Sequence, residues 1–106
     1  MNIIKITNGE AWIKPFCTRK ARKLINLALF KNATSGTDGK IVNLPIENIP
    51  KAEDAKVLNM VDKIILGGQN QIVDEDLIDS LSDGDFDLIL KAVNNILEPA
   101  HQDPNE

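Results

Sequence analysis

The sequence predicts an α+β fold, mostly α: a small N-terminal β-hairpin or three-stranded element followed by about four amphipathic helices. Two observations predict it. β-Branched and aromatic residues flank an Asn8-Gly9 pair near the start of the chain, the pattern of a tight hairpin. Beyond residue 17, apolar residues recur at helical spacing in four stretches, three opening on a capping residue (Thr18, Asp74 or Ser82) and one following Pro50.

Residues 2–6 and 11–16 read as two strands joined by Thr7-Asn-Gly-Glu10, because Asn-Gly best supplies the two positive φ values of a tight turn. Pro15 has no amide donor and so assigns the second strand to a sheet edge. Thr18 caps a helix over 18–33, with Ala21, Leu24, Ile25, Ala28 and Leu29 on one face. Arg19, Lys20, Arg22 and Lys23 crowd its first turn, where the helix dipole is already positive, each costing about 0.3–1 kcal/mol if left alone. Two readings stay open for them: a solvated basic face, or a charge-matched contact with the acidic second half or a partner.

Residues 32–40 form a polar loop, and 41–44 add a third short strand. Pro45 and Pro50 then confine the chain until a second helix, 51–66, carries Val57, Leu58, Val61, Ile64 and Ile65 on one stripe. It ends at Gly67-Gly68, where a left-handed cap is easily made. Asp74 caps a short helix over 75–81 bearing Leu77, Ile78 and Leu81. Ser82 caps the last, 83–98, with Asp85 reaching back toward the cap amide in a short-armed capping box. Its stripe is Phe86, Ile89, Leu90, Val93, Ile96 and Leu97, and Pro99 ends it. The organisation is therefore one domain over 1–98 and a flexible tail over 99–106.

At 106 residues, 42% hydrophobic and 26% charged, the chain has the composition of an ordinary globular domain, not of a disordered or collagenous one. The lone Cys17 cannot make an internal disulfide and reads as a small packed residue beside Phe16. No signal peptide and no membrane span are visible, so the expected location is cytoplasmic, without a membrane partner. Charge is lopsided. Residues 1–50 hold eight Lys/Arg against three Asp/Glu (+5) and residues 51–106 hold four against thirteen (−9), which together give the net −4. One basic end and one acidic end suit docking onto a charged partner or head-to-tail stacking of copies.

Asp83-Gly-Asp-Phe-Asp87 opens like a calcium loop, but Leu88 stands where a glycine must turn the chain and Asn94 where a bidentate Glu is needed. His101, the sole histidine, lies in the tail, away from any acid–base or zinc cluster. Neither enzymatic activity, a cofactor nor a metal is expected. Lys14, Arg19, Lys20, Arg22, Lys23 and Lys31 gather near Trp12 and Phe16, the raw material of a nucleic-acid-associated regulator using the basic helix 18–33. A pI near 4.9 and the −9 half weigh against nucleic acid as a partner.

The run Asp76-Leu-Ile-Asp-Ser-Leu-Ser-Asp-Gly-Asp-Phe-Asp-Leu-Ile-Leu-Lys-Ala-Val-Asn94 resembles the closing segment of the tail assembly chaperones of long-tailed, siphovirus-like phages and prophages. The shared pattern is a short helix, a break, an acidic-acidic-Phe element and an aliphatic amphipathic helix; a strand pair before a basic helix also fits. Ser82, where many relatives carry proline, and the Gly-Thr-Asp-Gly loop at 36–39 depart from it. The resemblance implies a non-enzymatic protein of the bacterial host cytoplasm, absent from the mature virion. It would bind the tape-measure protein and keep it soluble until the tail tube protein polymerises around it; a structural prophage protein is the other reading from this class. On this view Leu77, Leu81, Phe86, Ile89 and Leu90 either close the core or form a partner groove, and Arg19, Arg22 and Lys23 face an acidic partner.

Overall fold

The computed structural model describes residues 2–35 and 41–98. In chain order its elements are β1 (Asn2–Ile6), β2 (Gly9–Ile13), α1 (Arg19–Phe30), β3 (Thr34–Ser35), β4 (Ile41–Asn43), α2 (Asn48–Met60), β5 (Val61–Leu66), β6 (Gln69–Gln71), α3 (Glu75–Ser80) and α4 (Asp83–Leu97). The expected N-terminal hairpin or three-stranded element is corrected: β1 and β2 are half of a four-stranded antiparallel sheet of order β1-β2-β5-β6, and β3 with β4 makes a separate two-stranded ribbon. The tail over 99–106 and most of the glycine-containing loop lie outside the described residues.

The missing strands were hidden in the expected helix over 51–66. The chain leaves the helix at Met60 and continues as a strand from Val61. A short apolar run bounded by glycine satisfies either a helical or a strand period, and here pairing decides: Ala11 lies opposite Ile64 and Ile13 opposite Val61. Gly67 and Gly68, at φ 58° and 81°, are the two-residue turn that sets Leu66 opposite Gln69, not a helix cap. Nor is β2 an edge strand. It lies between β1 and β5, and Pro15 falls beyond its end at Ile13, after the Lys14 amide has donated to the Met60 carbonyl at 2.8 Å.

The first hairpin turn is also shifted by one residue. Ile6 pairs with Gly9, so the turn is Thr7-Asn8, with Asn8 at φ 65°. Gly9 is needed for a different reason: a Cβ there would run into the carbonyl of Ile65 on the neighbouring strand.

Helices cover one face of the sheet. Ala11, Ile13 and Ile64 from the strands meet Val57, Met60, Ile89 and Val93 from α2 and α4 in the core. On the alternate face Trp12 is half-buried, its ring 4.1 Å below Lys63 Nζ and its indole N–H donating to Glu10 at 3.1 Å. Thr18 and Asp74 cap α1 and α3 by accepting from the Ala21 and Leu77 amides. Ser82 caps α4 by accepting from the Asp85 amide at 3.2 Å. The Asp85 carboxylate does not close a capping box. It is buried and accepts from the Thr7 amide at 3.0 Å and the Thr7 hydroxyl at 3.1 Å, which ties the first hairpin turn to α4.

Gly9→Ala is expected to lower the free energy of unfolding by about 1–3 kcal/mol, because the close strand must give way. Urea denaturation measures it; an unchanged midpoint would mean that the two strands are not in this close approach.

Candidate functional site: a groove between two helices

α1 has no basic residue in its last turn to satisfy its carbonyl end. Asn48, the first residue of α2 and only 3% exposed, does so instead: its Nδ2 donates to the Leu29 carbonyl at 2.9 Å and the Lys31 carbonyl at 2.6 Å. This pins the start of α2 to the end of α1, so the two helices run side by side in opposite directions. Ala21 and Ile25 turn α1 toward the core, while Leu24 and Leu27 stay 42% and 67% exposed.

Leu24, Leu27 and Ala28 of α1, with Ala55 and Leu58 of α2, line an apolar groove of about 520 Å³. Lys31 and Lys51 flank its Asn48-capped end, and Asp54, Glu75 and Asp79 from α2 and α3 form one wall. Burial raises the Asp54 carboxyl above its ordinary value, and the charges of Asp79, Glu75 and Glu53 push in the same direction. The groove is thus a strip of exposed leucine and alanine beside a cluster of like charge.

The residues expected to bind a partner do not come together. Ile89 and Leu90 are buried core members, so of the two open readings they take the core. Leu77, Leu81 and Phe86 are half-buried against that core. The edges of Leu81 and Phe86 reach a shallow cleft of about 390 Å³, whose rim includes Glu53, Asp83 and Asp87. Arg19 and Lys23 are exposed on α1. Arg22 reaches across to the far end of α4, where its Nη2 donates to the Leu97 carbonyl at 3.1 Å, a favourable place for a cation. Phe86 sits in the first turn of α4, whereas Arg22 meets Leu97, its last residue, so these two members of the expected site lie at opposite ends of one helix.

Sequence reasoning missed Leu27, Lys31, Lys51, Asp54, Glu75 and Asp79 as members of one site. A signal was present in α1. Leu27 follows Leu24 by three residues, so the apolar stripe is wider than the side that Ala21 and Ile25 bury. Among the described residues no group of three His, Cys, Asp or Glu side chains could hold a metal ion, and no helix is long and apolar enough to cross a membrane. No protein-family model matches the chain, and no curated protein and no solved structure gives a significant match to it.

Two outcomes check this geometry. Asn48→Ala should cost about 1–3 kcal/mol, since it leaves two carbonyls at the end of α1 without their buried donor; chemical denaturation reads it. Asp54 holds its proton more tightly in the folded chain than in the unfolded one, so its contribution to stability falls as pH rises through the window between its ordinary and its raised value. Asp54→Asn should therefore melt above the parent at pH 7, with the gap closing as pH drops below the ordinary carboxylate range. A lower melting temperature at pH 7 would show that Asp54 makes a stabilising contact instead.

Proposed function

We propose that this protein is a non-enzymatic binding protein, a tail assembly chaperone that holds the tape-measure protein of a long-tailed phage or prophage soluble in the host cytoplasm before tail tube protein polymerises on it. The observation that carries the reading is the open groove between α1 and α2, whose apolar floor and charged rims suit one face of an amphipathic helix. The resemblance of residues 76–94 to that family supports it independently. In the fold those residues supply part of the acidic wall through Asp79, and they anchor α4 to the first hairpin through Asp85. A tape-measure protein is long and helical and has apolar faces that aggregate when uncovered, so a small domain offering replaceable apolar contacts is a fitting cover. The floor side chains contribute little to the fold at their exposed sides, which leaves them available for exchange with a partner.

The test is co-expression with the tape-measure protein encoded in the same tail gene cluster. Its soluble fraction is expected to rise several-fold with the parent chain and to fall back with Leu27→Lys, a substitution at a position that is 67% exposed and so spares the core. Equal insolubility with and without the parent chain overturns the reading. Salt-sensitive retention of the parent on duplex DNA, with no effect on the tape-measure protein, overturns it in favour of a nucleic-acid role for the exposed basic residues of α1.

A further inference from the structure

We infer that the α1–α2 groove selects an amphipathic partner helix flanked by Lys and Arg, whose apolar stripe covers Leu24, Leu27 and Leu58 and whose basic flank lies along Asp54, Glu75 and Asp79. This rests on the chaperone reading for its partner class but adds what that reading leaves open, the chemistry by which one helix is chosen over another. Charge complementarity makes the assignment. Three carboxylates from two helices line one side of an apolar strip, and the proton affinity of Asp54, raised first by burial, is raised further by the like charge of Asp79 and Glu75. A lysine or arginine brought beside them relieves that repulsion at the same moment as its neighbouring leucines cover the groove floor. A helix flanked by Asp or Glu covers the floor and adds to the repulsion. Lys31 and Lys51 stand at the capped end of the groove, where the carbonyl end of an incoming helix meets a positive charge. The occupant is therefore a helix of another protein with a leucine-type stripe, a basic flank and its C-terminal end toward Lys31 and Lys51.

Two designed helical peptides test this, each of about 20 residues so that helix formation is not the limiting cost. They share one leucine stripe; one carries Lys and Arg on its flanks and the other Glu. Fluorescence anisotropy with the full chain at low salt should give about tenfold tighter binding of the basic peptide, a ratio that shrinks as salt is raised. In the double variant Glu75→Lys with Asp79→Lys, both at exposed positions of α3, the preference should vanish or invert while circular dichroism stays that of the parent. Leu27→Lys should weaken both peptides. Equal binding of the two peptides to the parent, or an unchanged preference in the double variant, overturns the inference. Because the chaperone reading is scored by solubility of the tape-measure protein, it survives that failure. If the basic peptide binds as stated while the tape-measure protein remains insoluble, the groove's selectivity stands and the chaperone reading falls.

Discussion

The antiparallel pairing of β2 with β5 is the contact on which the rest of the molecule depends. It joins the start of the chain to its middle across the whole α1–α2 unit, and Gly9 makes it possible by leaving room for the Ile65 carbonyl. Loop closure over so long a segment costs little more than over a shorter one, because the entropic term grows only with the logarithm of length. What offsets it is local and apolar: Ala11, Ile13, Val61 and Ile64 are buried together, and the Lys14 amide locks onto Met60. No linker separates Met60, the last residue of α2, from Val61, the first of β5, so fixing the strand fixes the helix. Asn48 then carries the constraint from α2 to the end of α1. The groove walls are thus set by a chain of rigid steps that begins in the sheet.

Charge in this protein is spent in two ways. Part of it is absorbed inside the fold against neutral groups. Arg22 satisfies the carbonyl end of α4, Lys56 meets the Asn94 side chain at 3.0 Å, Lys63 covers Trp12, and Asp85 holds the turn at Thr7. Each holds an element in place, and Arg22 offsets part of the dipole cost expected for the basic first turn of α1. Other charges face outward, with Asp54 of α2 and Glu75 and Asp79 of α3 gathered beside the apolar strip between α1 and α2. The sequence-level contrast between a basic half and an acidic half is therefore only loosely a contrast between two ends of the molecule.

The helices α1, α3 and α4 were legible because each combined a capping side chain with an amphipathic period, two signals that agree. β5 was not, because Val57, Val61, Ile64 and Ile65 satisfy a helical stripe as well as a strand run, and only the distant pairing with β2 separates the two. The same missing strand turned Gly67-Gly68 into a supposed helix cap, while Pro15, the reason to place β2 at an edge, lies beyond its end at Ile13. Asp85 was read through its nearest cap, whereas its true partner, Thr7, is 78 positions away. The groove was half legible: Leu24 and Leu58 were named as members of apolar stripes, but which stripe residues stay uncovered is settled by packing that a single sequence does not reveal.

Exposed apolar residues are ordinary on a protein surface, and so are carboxylates; their juxtaposition is what gives this groove a direction of response. α1 is already anchored without Leu27, by Ala21 and Ile25 in the core, by the Thr18 cap at one end and by Asn48 at the other. Leu27 therefore adds little to folding and leaves an apolar surface in water. Asp54, Glu75 and Asp79 likewise stand close together with like charge; burial is the larger cause of the raised Asp54 pKa, and their repulsion adds to it. Covering the leucines removes the first penalty whatever the flank of the incoming helix. Only a cationic flank removes the second, so the two penalties left in the free molecule are relieved together by one class of helix, and that coupling turns a nonspecific apolar strip into a selective one.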